Sequence, residues 1–353
     1  MSSKPPSVRT LARLSGFSKA TVANALRGDP TVAPATAERI RSLATQAGYR
    51  RNPIVGAMMS ALRRAQTTGF HGTLACVDLA EPERPEHGPF HRELILGARA
   101  RAEDLGFHLE EHVVGPGRLP LRRLETMLRA RGIEAVLLLP SWKPFDLGAF
   151  DWAGFAAVSA DRAEAPQQFH AVCCDHYRSL LALLEELHGR GFRRPGLLLE
   201  PERDERIQHL TSAAFHTFRT RHPAPRPVPV LPWPSPDAAA LLPWFRQHQP
   251  DVILGHHTEA LDTLAAAGHA CPEDFGFACL NLAKTERPCA GLDLQPRLIG
   301  ARSVELLVGL LQRNERGLPA CPTTLSLPAR LVAGPTLGEP APRSPRGGRI
   351  PVG

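Results

Sequence analysis

Long apolar runs and paired cysteine motifs are both missing from this chain of 353 residues. No apolar stretch approaches the roughly 18 residues that a membrane-spanning helix needs, so the sequence predicts no association with a membrane. The seven cysteines include no C-x-x-C pair, and their odd number argues against a closed set of disulfides. No secretory signal precedes Ser7, and we therefore expect a cytoplasmic protein with reduced thiols.

The motifs of several enzyme classes are also absent. Neither G-x-S-x-G nor G-K-[ST] occurs, and the GRGF segment at 189–192 lacks the remaining glycine of a dinucleotide-binding loop. His256 and His257 are adjacent in the chain, as are Cys173 and Cys174. The members of each pair would point in opposite directions at a strand end, which is poor geometry for one metal ion. The sequence therefore predicts neither an enzyme nor a site for a metal or cofactor.

Positive charge is concentrated at the amino-terminal end. Residues 1–64 contain eleven Lys and Arg against only Asp29 and Glu38, which gives this segment a net charge of +9. Because the whole chain carries +7, the other 289 residues sum to −2. Such a distribution is typical of a surface that displaces counterions from nucleic-acid phosphates.

The same basic segment has the signals of two short helices joined by a turn. Ser7 can cap a first helix that runs to Ser15, Gly16 permits the turn, and Ser18 can cap a second helix that ends before Gly28. Two short helices joined in this way form the DNA-binding helix-turn-helix motif. A small protein-interaction module of three helices is the alternative.

The second helix is predicted to have two different faces. Val22, Ala25 and Leu26 fall on one face and should pack on the first helix. The other face can meet base edges in the major groove, where Asn suits adenine, Lys or Arg suits guanine, and Ala contacts a thymine methyl group. The predicted base-reading residues are Lys19, Ala20, Asn24 and Arg27. The hydroxyls predicted to contact phosphates are those of Ser18, Thr21, Thr31 and Thr36.

Three segments, in the order TLARLSGFSKATVANALRG, VAPATAERI and AGYRRNP, resemble the amino-terminal reader of the lactose/galactose repressor (LacI/GalR) family. The resemblance implies an α/β protein with a lambda-repressor-like helix-turn-helix domain at 1–51, a hinge helix and linker at 52–71, and a core at 72–337. That core would resemble periplasmic binding proteins of type I, with two lobes built on parallel sheets. The implied function is that of a nucleoid-associated homodimer that represses transcription at palindromic double-stranded operator DNA and responds to a small molecule.

The hinge segment has its own helix signals. Asn52 and Pro53 form a helix start, and Asn52 is also among the residues predicted to contact DNA. About ten residues make too short a helix to persist alone in water. We therefore expect this helix to form only when two chains meet on DNA. In the family, a pair of leucines from the two hinge helices enters the minor groove, and Met58 matches their position. Methionine is among the side chains that can unstack a base step. A flexible linker is the alternative.

The rest of the chain alternates predicted strands and helices, as parallel α/β domains do. Two such cycles predict two lobes, and the residues past Leu337 are so rich in Gly, Pro and Arg that we expect a disordered tail at 338–353. This tail has no leucine heptad for a tetramerising helix, so a dimer is expected. The predicted lobe boundaries are about 72–171 and 294–328 for lobe 1, and about 172–293 and 329–337 for lobe 2.

A ligand of such a core would bind between the lobes, at the carboxyl ends of the strands. Relatives that bind sugars or purines commonly offer an Arg, an Asn-Asp pair and an Asp there. The matching residues in this chain are Thr211, on a helix predicted from Ile207 to Arg221, then His256 with His257, and Asn281. The missing charges favour a more aromatic or anionic ligand over a hydroxyl-rich sugar. Further predicted cleft residues, with lobe packing or a solvated surface as the alternative, are Phe90, His91, Trp142 and His209.

Two other functions remain open. The first is a DNA-binding regulator without an effector, whose ligand cleft has degenerated, and the missing charges favour it. The second is an enzyme or a small-molecule-binding protein with an appended helical domain. The absence of a catalytic constellation and of an export signal disfavours it.

Overall fold

A computed structural model describes residues 8–27, 32–47, 72–80, 88–141, 145–161 and 168–338. The predictions for the hinge with Asn52 and Met58, for Thr31 and Trp142, and for the tail beyond residue 338 lie outside these ranges. None of the described helices combines the length and the apolar character that crossing a bilayer requires.

The amino-terminal unit contains three helices, α1 (Val8–Ser15), α2 (Lys19–Arg27) and α3 (Pro34–Gln46). Gly16, with a φ of 73°, makes the turn between α1 and α2 in the left-handed region that favours glycine. The Oγ atom of Ser18 accepts the backbone N–H of Thr21 at 3.0 Å, so the predicted cap of the second helix is confirmed. These three helices fit a helix-turn-helix domain.

The core of this unit lies where the helical periodicity predicts it. Val22 and Ala25 are fully buried, and Leu26 packs against them while remaining partly exposed. They meet the fully buried Leu11 of α1 and Ile40 of α3. The predicted core face of the second helix is therefore confirmed, and α2 turns its opposite side away from the small core.

The remaining described elements alternate between strand and helix. In chain order they are β1 (Gly72–Leu79), α4 (Pro89–Asp104), β2 (Phe107–Val114), α5 (Leu121–Ala130), β3 (Ala135–Leu138), β4 (Ala156–Ala160), β5 (His170–Cys174), α6 (His176–Gly189), β6 (Pro195–Leu199), α7 (Pro201–Arg206), α8 (Leu210–Arg221), β7 (Leu231–Pro232), α9 (Ala238–His248), β8 (Val252–Gly255), α10 (Glu259–Ala266), β9 (Gly276–Cys279), β10 (Ala290–Asp293), α11 (Pro296–Arg313), β11 (Thr324–Leu327) and β12 (Arg330–Val332). Short 3₁₀ turns lie at Trp152–Gly154 and Leu282–Lys284.

The described strands form two six-stranded sheets, one in each lobe. Lobe 1 has the order β11-β5-β4-β3-β1-β2 and is parallel throughout. Lobe 2 has the order β12-β10-β9-β8-β6-β7, in which only β12 runs antiparallel to its neighbour. Strands that are buried on both faces explain the continuous apolar runs of the sequence, such as the four buried residues of β3.

The chain passes between the lobes after β5, after β10 and between β11 and β12. Because β5 pairs with β11 as far as Cys174, the first passage follows Cys174, slightly beyond residue 172, where the sequence placed it. Helix α6 then packs in lobe 2, where the Tyr177 hydroxyl donates to Thr217 of α8 at 3.1 Å. Three connecting segments that lie close together can act as a hinge between two rigid lobes.

Two local predictions in lobe 2 are wrong. The helix predicted from Ile207 to Arg221 begins only at Leu210, because Gln208 and His209 have a φ of 59° and break the chain away from α7. The buried Asp204 carboxylate accepts the N–H of Thr211 at 3.0 Å and so fixes the new helix start. The strand predicted from Val228 is reduced to Leu231–Pro232, since the prolines of this segment have no N–H for a ladder.

Helices α4 and α11 cross in close contact beside the sheet of lobe 1. Gly97 of α4 lies against the backbone of Arg297, and a Cβ atom added there would overlap its carbonyl group. Gly300 of α11 lies in the same way against the Leu94 carbonyl. The first turn of α4 contains Phe90 and His91, so this contact positions two residues that the sequence assigns to the cleft.

Candidate functional site

The residues predicted to contact DNA differ in their place in the reader and in their exposure. Ser18 and Thr21 form a pair, with 2.8 Å between their hydroxyl oxygens, so both belong to the cap at the start of α2. Lys19 is exposed and Asn24 is half-buried, whereas the apolar face of the same helix is fully buried. Thr36 is half-buried in the first turn of α3. Ala20 and Arg27 also lie on α2, but their side chains fall outside the described part of the structure.

The lobes meet at a narrow cleft beside the carboxyl ends of several strands. The space inside amounts to about 30 Å³, which is room for about two water molecules. The cleft is therefore closed. The residues that line it are Phe90, His91, Pro140, Asp161, His176, Arg203, Arg206, Ile207, His256, Asn281, Lys284 and Leu294.

The described members of the predicted cleft set fall into three groups. Phe90, His91, His256 and Asn281 line the cleft. His257 lies behind it, with its ring 5.8 Å from that of Trp233. The remaining two do not line the cleft, since the side chain of His209 is 69% exposed and Thr211 is buried at the start of α8.

A buried carboxylate that the sequence analysis missed holds together one side of the cleft. One oxygen of Glu200 accepts from the Nε and Nη2 atoms of Arg203 at 3.0 and 2.8 Å. Its other oxygen lies 3.0 Å from Nδ1 of His256 and 3.6 Å from Nε2 of His257. Burial raises the pKa of Glu200, but these histidines and the charge of Arg203 outweigh burial and hold the pKa well below its usual range. Glu200 is therefore ionised near neutral pH.

The second missed feature is an ion pair between the lobes. Asp161 follows β4 of lobe 1, and its Oδ2 lies 3.9 Å from Arg206 of α7 in lobe 2. Both side chains are less than a tenth exposed. The N–H of Asp161 donates to Val172 at 2.6 Å, and its carbonyl accepts the Ser159 hydroxyl at 2.6 Å. These bonds fix the backbone of Asp161, so the ion pair links the two lobes while the cleft is closed.

The sequence contains a start signal for α7, the short helix on which Arg203 and Arg206 lie. Pro201 follows Glu200 directly after β6, and proline at the first position of a helix is a common start signal. The apolar periodicity used to place the helix begins only later, because α7 is short and charged. The periodicity consequently predicts Thr211 at the position of the missing arginine and gives no indication of Arg203 or Arg206.

A larger groove of about 950 Å³ lies elsewhere in lobe 2, near the amino end of β6. Its arginines brace the backbone: Arg194 donates to the carbonyl groups of Arg226 at 2.9 Å and Gln249 at 3.3 Å. Arg193 donates to the carbonyl of His188 at 2.6 Å. This groove is remote from the carboxyl ends of the strands, so the interlobe cleft is the stronger candidate site. Within the described ranges, no group of three or more His, Cys, Asp or Glu is arranged to hold a metal ion.

Acidification should destabilise the protein through His256. Burial, followed by the charge of Arg203, lowers the pKa of His256 to about 3, whereas an unfolded histidine titrates near 6.5. Between these values only the unfolded chain binds this proton, so the free energy of unfolding falls by about 1.4 kcal/mol for each pH unit of acidification. From pH 6.5 to 4.5 this one residue should remove about 2 kcal/mol, because the unfolded histidine is already half protonated at pH 6.5.

Urea unfolding followed at several pH values measures this effect. The variant His256→Gln should lose that part of the pH dependence, because glutamine binds no proton. His216→Gln, on the exposed side of α8, serves as the matched control and should keep the wild-type slope. Equal slopes for wild type and His256→Gln would contradict the prediction.

Comparison with known proteins agrees with this architecture. Residues 184–337 match the family described as periplasmic binding protein-like domain. A search of curated protein sequences gives no match.

Solved structures match nearly the whole chain. The cellobiose complex of the transcriptional regulator CelR is 19% identical, with a TM-score of 0.53, and the match covers 94% of this chain and 99% of CelR. The Lac repressor dimer bound to operator and the anti-inducer ONPF is 18% identical, with a TM-score of 0.52, and the match covers 95% of this chain and 100% of the repressor. A LacI transcriptional regulator from a Rhodococcus species is 18% identical, with a TM-score of 0.56 and coverage of 76% and 99%.

The predicted fold class, an α/β protein with an amino-terminal helix-turn-helix domain and a core of two lobes, is therefore confirmed. The chain has the fold of the LacI-family transcriptional regulators, and its residues 184–337 match the periplasmic binding protein-like domain.

Proposed function

We propose that this protein binds a palindromic operator as a dimer and regulates transcription in response to a small molecule in the interlobe cleft. The observation that carries the proposal is the division of α2 into two faces. Val22 and Ala25 are fully buried, while Lys19 is exposed and Asn24 is half-buried on the same helix. A recognition helix needs one face for its own core and one for base edges. The Lac repressor structure is a dimer bound to operator, and we extend that arrangement to this chain.

The core supplies a physical route for the signal. The three passages between the lobes can act as a hinge, and the ion pair of Asp161 with Arg206 joins the lobes when the cleft is closed. A ligand changes operator binding only if it binds one lobe arrangement more tightly than the other. We infer that lobe closure alters the distance between the two 52–71 segments of a dimer, which connect each core to its DNA-reading domain. This change in distance would alter the fit of both DNA-reading domains to the operator.

Replacement of Asn24 by Ala should remove a base contact. We expect a loss of about 1 to 3 kcal/mol in operator binding and a relaxed preference at one base pair of each half-site. The measurement has two stages. Selection of bound sequences from a random DNA pool with the full-length protein identifies the operator. Titration then gives dissociation constants for wild type and variant on the operator and on its single base-pair variants.

Thr45→Ala is a suitable control for this experiment. Thr45 lies near the end of α3, is exposed, and donates its hydroxyl to the Arg41 carbonyl at 3.0 Å. This variant should bind operator like wild type. If Asn24→Ala weakened binding to operator and to random DNA equally, Asn24 would have no role in base reading.

A further inference from the structure

Arginine and histidine side chains line the groove that lies in lobe 2 near the amino end of β6, and no Asp or Glu of the described ranges lines it. The basic residues of the lining are Arg193, Arg194, Arg219, Arg221, Arg226, His188, His216 and His222. All of lobe 2 falls within 168–338, which the structure describes without a gap. The segment 339–353 contains one glutamate and three arginines, so its side chains supply no surplus of negative charge. The groove therefore favours an anionic ligand.

Two of the five arginines, Arg219 and Arg226, have no carboxylate partner in the part of the chain that the structure describes. The guanidinium carbon of Arg219 lies 5.9 Å from the ring centre of Phe215, and Arg226 is exposed. Arg221 lies 3.6 Å from the carboxylate of Glu185, and the other two arginines donate to main-chain carbonyl groups. Arg219 and Arg226 can consequently each form two parallel hydrogen bonds with an anion without breaking an ion pair.

One wall of the groove is a proline-rich segment that is held in place. Proline occupies every second position of 223–229, and each proline ring restricts its own φ angle. Arg194 donates to the carbonyl of Arg226 at 2.9 Å, and the indole N–H of Trp244 donates to the carbonyl of Pro229 at 2.9 Å. The wall that presents Arg226 is therefore fixed before a ligand arrives, which lowers the entropy cost of binding.

Aromatic rings lie beside the arginines. The ring centre of the buried Phe218 is 4.8 Å from that of His222 and 5.9 Å from that of His188. The two imidazole rings are 4.1 Å apart, with an angle of 35° between their planes, and both are partly exposed. Burial, followed by the charge of His222, lowers the pKa of His188, so this ring is neutral near pH 7. Histidine rings and guanidinium planes are surfaces on which nucleic-acid bases stack.

We propose that this groove binds a nucleotide with two or more phosphate groups, whose phosphates lie on Arg219 and Arg226. Its base lies against the rings of His188 and His222. The groove volume of about 950 Å³ falls within the range of small-molecule sites, about 300 to 1,000 Å³. An acidic peptide would match the charge of the groove but would leave the rings without a partner. The groove is separate from the interlobe cleft, so this inference goes beyond the proposed function and requires neither operator DNA nor a cleft ligand.

Titration calorimetry with the full-length protein in magnesium-free buffer tests the proposal. The probes are ATP, GTP, CTP and UTP, each with its nucleoside, together with inorganic triphosphate and a decaglutamate peptide. At least one nucleoside triphosphate is expected to bind about tenfold or more tightly than its own nucleoside, because the nucleoside has no phosphate for the arginines. The same nucleotide should also bind more tightly than inorganic triphosphate, which has no base, and more tightly than the peptide.

Variants of the groove locate the binding site. Arg219→Gln and Arg226→Gln should each weaken binding of the selected nucleotide about tenfold. Arg226→Lys should weaken it less than Arg226→Gln, because lysine keeps the charge but not the paired donors. Arg123→Gln removes the same charge from the exposed surface of α5 in lobe 1 and should leave affinity unchanged. The basic reader also attracts polyanions, so Arg39→Gln on α3 is measured as well. Thermal unfolding of each variant verifies that it is folded.

Several results would overturn the inference. Binding by none of the nucleotides, or equal affinity for a nucleotide and its nucleoside, would show that the arginines hold no phosphate. Inorganic triphosphate or the peptide as the tightest ligand would show that the rings recognise no base. Equal affinity in wild type, Arg219→Gln and Arg226→Gln would place the nucleotide elsewhere, and a loss of affinity in Arg39→Gln alone would place it on the reader.

Discussion

Raising sodium chloride from 50 to 200 mM is expected to weaken binding of the full-length protein to its selected operator by about 10³-fold. The reason is the net charge of +9 on residues 1–64, set against a slightly acidic remainder. If about three basic side chains of each reader neutralise a phosphate, a dimer releases the counterions of about six phosphates. The logarithm of the binding constant should then fall with the logarithm of salt concentration with a slope of about −5.

Fluorescence anisotropy at four or five salt concentrations measures this slope. Arg246→Gln, which removes one charge outside the reader, should leave the slope unchanged. Arg39→Gln removes a charge from the exposed side of α3, and we expect it to make the slope shallower if that face runs beside phosphates. A slope near zero for wild type would mean that binding makes no phosphate contacts, which would contradict the proposed DNA-reading role of the basic segment.

The reader shows which features a sequence can predict well. The core residues Val22 and Ala25, the cap at Ser18 and the turn at Gly16 each depend on neighbours only a few positions away. Helical periodicity and capping chemistry are local rules, so they hold before any tertiary contact forms. The DNA-reading roles of Lys19 and Asn24 stay predictions, because they depend on a partner outside the chain.

The cleft shows which features a sequence cannot provide. Asp161 and Arg206 lie on different lobes and meet only when the lobes close, so no spacing rule connects them. The break before α8 depends on the buried Asp204 carboxylate, whose effect on the following residues requires the folded loop. Comparison with the family pattern indicated a loss of charge at Thr211 and Asn281. The structure instead supplies charge from Arg203, Arg206 and Lys284, which the pattern does not cover.

The charged residues of the cleft bear on the choice between a regulator that responds to a small molecule and a regulator whose ligand cleft has degenerated. A degenerate cleft would be expected to fill with apolar side chains, because buried ionic groups are costly to keep and hydrophobic replacements are often neutral or stabilising. The cleft instead keeps Glu200 hydrogen-bonded to Arg203, together with an ion pair that joins the lobes. A buried network of this kind favours a cleft that still binds a ligand.

Substitution of Gly97 by Ala is expected to destabilise lobe 1 by about 3 kcal/mol, the upper part of the range for overpacked cores. The new Cβ would overlap the Arg297 backbone carbonyl, which cannot rotate away as a flexible side chain can. Helices α4 and α11 must therefore move apart, with loss of contacts around the buried Leu94 and Ile299. Chemical unfolding followed by circular dichroism measures the change. Because the first turn of α4 contains Phe90, which lines the interlobe cleft, the substitution should also alter the shape of the cleft.

Gly309→Ala provides the matched control on α11 itself. A Cβ at Gly309 would meet only the guanidinium end of Arg313, at 3.1 Å, and that flexible side chain can move. The substitution should therefore give the usual helix-propensity gain of Ala over Gly, up to about 1 kcal/mol. The same propensity gain acts at Gly97, so it cancels in the difference between the two variants, which isolates the cost of the helix contact. Equal stability of the two variants would mean that α4 and α11 can separate freely, and α4 could then not hold Phe90 and His91 in a fixed position at the cleft.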